Sequence, residues 1–166
     1  MIDFSKVNIK INEDDKISVI CIMGKSGSGK STYANKIFNS YPQITNIVKS
    51  YTTRKVRDYD PNDINTHIFV DMDFYNKSDV LLEYRGDGYY NFVTPESFDK
   101  DLVNLFVVDI DAYNLLCNLP QYYVTGIYLN VSDEVLKERC PERFKEEPHL
   151  ELSRIINKKH LKVIDN

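Results

Sequence analysis

The sequence predicts an α/β fold with a doubly wound parallel sheet, on three observations. Residues 16–23 form a run that is apolar on both faces after Ser18, as a strand covered by helices on both sides should be. A glycine-rich turn and a segment with helical apolar spacing follow it directly. Further apolar strands then alternate with helix-like segments, which implies parallel β-α units in one open sheet.

Each element has its own signal. Val7, Ile9 and Ile11 alternate as a short edge strand would, before the acidic cluster Glu13-Asp14-Asp15. After the glycine-rich turn, Tyr33, Ala34, Ile37 and Phe38 recur at helical spacing, and Tyr41-Pro42 ends that helix. Residues 44–50 read as a second strand. A polar stretch from 51 to 66 contains the turn signal Asp60-Pro61-Asn62-Asp63, and His67-Ile68-Phe69-Val70 reads as a strand. Residues 80–93 read as a hairpin turning at Gly86-Asp87-Gly88, and Thr94-Pro95 as the start of a short helix. Residues 105–109 are a buried strand ending in an acid, 111–118 a helix and 122–131 a strand. Ser132-Asp133-Glu134 opens a helix to about Arg139. Leu152, Ile155, Ile156, Val163 and Ile164 are expected on one face of a last helix.

Bulk properties exclude several classes. With 166 residues the chain makes one domain whose core needs neither disulfides nor metals. The net charge of −4 argues against a broad nucleic-acid surface. Cys21, Cys117 and Cys140 lie far apart without a C-x-x-C pair, which suits a reducing compartment. No apolar run approaches the ~20 residues that span a bilayer, and Met1-Ile2-Asp3-Phe4 is not a basic-then-apolar leader. A soluble, cytoplasmic protein with neither membrane nor nucleic-acid partners is expected.

The chemistry begins at Gly24-Lys25-Ser26-Gly27-Ser28-Gly29-Lys30-Ser31-Thr32, which fits the phosphate-loop pattern G-x-x-x-x-G-K-[ST] at every specified position. Gly24, Gly27 and Gly29 let the backbone curl so that successive N–H groups, through Ser28 to Thr32, converge on a polyphosphate. Lys30 reaches the β- and γ-phosphates of a nucleoside triphosphate, and the Ser31 hydroxyl ligates Mg²⁺. Asp109, at the end of an apolar run, suits the second magnesium-holding position, directly or through water. Asp111 would share its face if that strand continued. Asn76-Lys77-Ser78-Asp79 imitates the guanine-reading N-K-x-D of GTPases, but the chain contains no D-x-x-G switch motif.

Ser50-Tyr51-Thr52-Thr53-Arg54-Lys55-Val56-Arg57, followed by His67-Ile68-Phe69-Val70, resembles the guanylate kinase pattern S-x-T-T-R-x-x-R, then Y-x-F-V. Glu83, Gly88-Tyr89-Tyr90, Asp109-Ile110-Asp111 and the arginines Arg139, Arg143 and Arg154 continue the resemblance over roughly residues 16–160. It implies a phosphate-loop core at about 16–49, 95–138 and 149–166. Inserted in it are a small β-rich monophosphate-binding subdomain at 50–94 and a helical lid at 139–148. The implied reaction is Mg²⁺-assisted transfer from ATP to GMP or dGMP. Ser50 and Glu83 would read the base, with Arg54, Arg57, His67 and Tyr90 on the acceptor phosphate. Asp111 would lie near the base or the arginine clamp, and Lys30, Arg139, Arg143 and Arg154 would stabilise the transferring group.

The residues agree on physical grounds, with bland readings beside each. Two guanidinium groups three positions apart suit a dianionic phosphate, or else a solvated loop face. Glu83, in the apolar setting Leu81-Leu82-Glu83-Tyr84, needs a partner: the N1–H and N2–H donors of guanine, or a salt bridge to Arg85. Tyr90 clamps or packs, and Arg139 and Arg143 neutralise phosphate or simply carry surface charge. Three departures matter. His67 replaces the family's tyrosine, Phe92 lacks the hydroxyl expected after Tyr90, and Asp58-Tyr59-Asp60-Pro61 replaces a Gly-Glu segment. A kinase acting on another nucleotide or a phosphorylated sugar is the alternative, and a non-catalytic interaction module a third reading.

Overall fold

The structure, a computed structural model, describes residues 15–58, 60–141 and 152–165. The alternation at Val7 to Ile11 and all but the first three residues of the expected lid, Arg143 included, lie outside the described residues. Along the chain, β1 (Ile17–Gly24), α1 (Lys30–Ser40) and β2 (Thr45–Ile47) come first, then β3 (Ser50–Thr52), α2 (Asp63–Thr66), β4 (His67–Phe69) and α3 (Met72–Lys77). The hairpin β5 (Leu82–Gly86) and β6 (Tyr89–Val93) follows, then β7 (Val103–Val107), α4 (Ile110–Cys117), β8 (Tyr122–Asn130), α5 (Asp133–Arg139) and β9 (Leu161–Asp165).

The main sheet has the order β2-β7-β1-β8-β9, every neighbouring pair parallel. β1 is central, and alternate residues along it supply two separate cores. Val19, Cys21 and Met23 pack with Phe106, Tyr113, Leu116 and Tyr128 on the α4 side. Ile20 and Ile22 pack with Tyr33, Ala34, Ile37, Leu105 and Ile127 on the α1 side. Two buried faces explain why this strand is continuously apolar rather than alternating. Burying each such side chain contributes about 1.5–3 kcal/mol.

A second sheet has the order β4-β3-β6-β5, with β3 and β4 parallel and the remaining pairs antiparallel. Leu82 and Val93 join the core of Phe106 and Val108, fixing the small sheet beside the carboxyl end of β7. Thr94 and Ser97 form a reciprocal capping box on the 3₁₀ turn Pro95–Ser97 that follows.

Two expectations are corrected, and one helix is new. Residues 44–50 are not one strand: β2 joins the main sheet and β3 the small one, the break falling at Val48-Lys49. Among the described residues the last helix is absent, and Leu152–Arg154 is a single 3₁₀ turn followed by β9. There, β9 supplies the ladder partners of β8's outer edge, and the Gly126 N–H donates to His160 C=O just before it. Finally, α3 went unpredicted. Its signals are the Asp71 side chain capping Phe74 N–H and a Lys77–Asp73 pair, and it buries no residue fully. Among the described residues no helix is long and apolar enough to cross a membrane.

Candidate active site

The glycine-rich loop joins the centre of the main sheet to α1. Gly29 is the N-cap of α1 at φ 91°, a left-handed conformation that costs glycine little, and no side chain caps the helix. The first N–H groups of α1 are thus left without a capping side chain, an arrangement suited to an anion. Gly24 also needs its hydrogen, because a Cβ there would lie 2.6 Å from Ser28 Oγ and 2.8 Å from Leu129 O. Lys30 folds across the loop, its Nζ donating to Gly24 O at 2.8 Å and Lys25 O at 2.9 Å. Lys25 Nζ in turn meets Asp133 Oδ1 at 2.7 Å, tying the loop to α5. Ser31 and Thr32 are exposed.

Asp109 stands just past the carboxyl end of β7, but as the N-cap of α4. Its Oδ1 accepts the Ala112 N–H at 2.7 Å. The strand does not continue, so Asp111 does not share its face. Instead Asp111 lies in the first turn of α4, where both its oxygens sit 2.7 Å from Arg154 Nη2. That exposed pair contributes at most about 1 kcal/mol, and neither partner lines the cleft beside the loop.

This cleft, about 520 Å³, is lined by Ser26 and Lys30 of the loop, Asp109 and Ala112 of α4, and Ser50, His67, Glu83, Asn91 and Phe92 of the small sheet. The two arginines of the expected clamp differ sharply. Arg54 is 9% exposed and binds Asp63 in a fork, Nη1 to Oδ2 at 2.6 Å and Nη2 to Oδ1 at 2.5 Å. It also lies over the Phe69 ring. Asp63, 2% exposed, further accepts the Arg57 backbone N–H at 2.8 Å. Its carboxyl is held well below the usual carboxylate range, chiefly by the Arg54 hydrogen bonds. The Arg57 side chain, by contrast, is exposed. His67 Nδ1 lies 2.9 Å from Thr66 Oγ1 and 3.8 Å from Asp63. Burial and then the Arg54 charge push its pKa down, favouring neutral imidazole.

Glu83 corrects the reading of its apolar setting. Strand alternation buries Leu82 and leaves Glu83 exposed. Both carboxylate oxygens are engaged: Oε2 accepts the Tyr75 hydroxyl at 2.5 Å, and Oε1 accepts Arg85 Nε at 3.2 Å and Nη2 at 3.0 Å. The Tyr75 bond leads in lowering its pKa. Tyr90 stacks on Tyr75 at 4.3 Å and lies 5.4 Å from the Arg85 guanidinium, outside the cleft lining. Phe92 is buried, stacked on Tyr51 at 5.2 Å. Asn76-Lys77-Ser78-Asp79 closes α3, and Lys77 to Asp79 line a different groove with Asp71 and Phe74. Arg139 is exposed at the last position of α5.

Comparison with known proteins adds lineage. No protein-family model matches the chain. A guanylate kinase of Campylobacter jejuni (strain RM1221) is 26% identical over 134 residues, covering 75% of this chain and 65% of that protein. One from Clostridium perfringens (strain ATCC 13124) is 27% identical over 154 residues, covering 87% and 70%. The chain is similar to these guanylate kinases. It spans just under two thirds of the Campylobacter protein's length. The fold is shared as well: a guanylate kinase crystal structure from Anaplasma phagocytophilum superposes with a TM-score of 0.58 at 20% identity, covering 91% of this chain and 78% of that one.

Sequence reasoning singled out the loop, Asp109, Ser50, His67 and Glu83, and the fold gathers these around one cleft. It missed Asp63, read only as part of a turn, and Tyr75, on an unpredicted helix. Asn91, between Tyr90 and Phe92, it did not single out. An acid nine residues after Arg54 was a usable signal for the first. Nothing in the sequence flagged the pairing of Tyr75 with Glu83.

Proposed function

We propose that this chain transfers the γ-phosphoryl group of ATP to a nucleoside monophosphate, with GMP or dGMP as the acceptor. One observation carries the reading: the phosphate loop and the small sheet face each other across a single cleft, as two phosphorylated substrates in line would require. The guanylate kinase relatives support the choice of reaction and of acceptor.

In this reading the α1 N-terminus and loop amides bind the donor phosphates, and Lys30 exchanges the Gly24 and Lys25 carbonyls for phosphate oxygens. An acceptor phosphate oxygen attacks the γ-phosphorus as the bond to the ADP oxygen breaks, so the products are ADP and a nucleoside diphosphate. Arg57 binds the acceptor phosphate, while Arg54, locked to Asp63, holds the strand that carries Ser50. Arg139 and Arg143 cover the transferring group. Arg154, tied to Asp111 away from the cleft, is left out of the site. A magnesium ion suits the donor set, because Ser31 offers an exposed hydroxyl and Asp109 spends only Oδ1 on its cap. When bound, it would neutralise charge on the β- and γ-phosphates.

A coupled assay for ADP with a panel of monophosphates tests the reading. GMP- or dGMP-dependent ADP release is expected, and no ADP with any monophosphate would sink it. A second reading, a kinase for another phosphorylated acceptor, draws on the saturated Glu83 carboxylate and the apolar Phe92.

A further inference from the structure

The small sheet has two unlike faces. The register pairs Tyr51 and Glu83 with Phe92, and Arg85 with Tyr90, so these five side chains share one face. Helix α3 covers it: Phe74 meets Tyr51 at 5.1 Å, and Tyr75 meets Phe92 at 5.2 Å and Tyr90 at 4.3 Å. The opposite face carries Thr52, Tyr84 and Asn91 in register and, at the open end of the hairpin, the pair Leu82 and Val93, which pack against Phe106 and Val108 beside Asp109. Residues of both faces reach the cleft that holds Lys30: Tyr84 and Asn91 from this second face, Glu83 and Phe92 from the first.

We propose that the carboxamide of Asn91, rather than the carboxylate of Glu83, reads the base of the acceptor monophosphate. The inference rests on the phosphotransfer reading and assigns its specificity. Asn91 lines the cleft with Lys30 and Asp109, and its Oδ1 is buried with no hydrogen-bond partner. Burying an amide oxygen unsatisfied is unfavourable, and a ligand that donates to it recovers that loss. Glu83 offers no comparable opening, since Tyr75 and Arg85 already occupy both its oxygens.

The chemistry suits a nucleobase. A carboxamide presents one acceptor and one donor side by side, which matches an edge with adjacent donor and acceptor. The N1–H and O6 of guanine are such an edge: Oδ1 accepts from N1–H, and Nδ2 donates to O6. The missing hydroxyl at Phe92 is thereby replaced from the neighbouring position, on the other face of the strand.

Calorimetric titration of the full chain with GMP, AMP, CMP and UMP, for wild type, N91L and E83Q, tests this. N91L is expected to weaken the preferred monophosphate by at least about tenfold and to flatten the ranking of bases. Its affinity for a non-hydrolysable ATP analogue and its unliganded melting temperature should match or exceed wild type, because an unpaired buried polar group has been removed. E83Q should keep the wild-type ranking. The inference is overturned if N91L binds and ranks monophosphates as wild type does, or if E83Q alone abolishes the ranking. Should N91L be insoluble, N91S removes the same carboxamide and carries the same expectation for monophosphate affinity and ranking. Monophosphate binding without ADP production would refute the phosphotransfer reading and leave this one standing. A wild type that binds no monophosphate would overturn both.

Discussion

The two walls of the cleft are built on different principles. The phosphate loop is held by its own backbone: Lys30 lies on loop carbonyls and Gly29 starts α1 in a left-handed conformation. The small sheet is held by side chains that neutralise one another, Arg54 with Asp63 and Glu83 with Tyr75 and Arg85. A backbone-built site depends on a short contiguous stretch and tolerates change around it. A wall of mutually paired charges can change its ligand by re-pairing, and this is where the chain departs from the guanylate kinase pattern.

The largest expected effect attacks the paired wall. Asp63→Ala leaves the Arg54 guanidinium buried without its carboxylate, and should destabilise the fold by about 3–5 kcal/mol. A urea titration of the variant checks this, and a loss under about 1 kcal/mol would show that the pair is not buried in solution. The matching attack on the loop is Lys30→Ala. It should cost about 10²–10³ in kcat with little change in melting temperature, as removal of one charge-stabilising donor does. Single-turnover kinetics separate that from weaker ATP binding.

Between the arginines the contrast sharpens further. Arg57→Ala should raise the acceptor KM about tenfold while leaving stability within about 0.5 kcal/mol, because its guanidinium is exposed. Arg54→Ala should instead lower stability, by stranding Asp63. If the two variants behave alike, the division of labour between them is wrong.

The smallest effect is on pH dependence. His67 has its pKa lowered by burial and Arg54, so the unfolded chain binds its proton more readily. Stability from this group is full above the folded and unfolded values and falls as pH drops through the ordinary histidine range near 6.5. Asp63, also lowered, acts in the same direction further into acid: its contribution is present above its unfolded value near 4 and is lost below it. Melting temperatures should therefore fall from pH 7 toward pH 5, and His67→Gln should flatten that limb while leaving the steeper loss below pH 4. An unchanged slope in the variant would remove His67 from the account.

Much of this was legible in the residues themselves. Strand β1, the loop and α1 lie within 24 residues, from Ile17 to Ser40, and all their signals are local. The β5–β6 hairpin and the Ser132 cap of α5 were legible for the same reason. The final segment was not. Leu152, Ile155, Ile156, Val163 and Ile164 satisfy a helical spacing, yet the open edge of β8 claims 161–165 as a strand. A sheet edge in need of hydrogen bonds outweighs a weak periodicity. Asp111 was misplaced because β7 ends at Val107 and the chain turns into α4.

By itself, then, the sequence determined the glycine-rich loop, the central apolar strand and the arginine pair at 54 and 57. Those features follow from neighbours in the chain and from backbone geometry that glycine permits. Only the tertiary structure decided which charges are spent. Arg54 and Asp63 are nine positions apart, Tyr75 and Glu83 eight, and the Asn91 Oδ1 is left buried without a partner. Coulombic and hydrogen-bond partners are chosen by distance in space, and strand alternation chooses the face. Both are set only once the two sheets have packed.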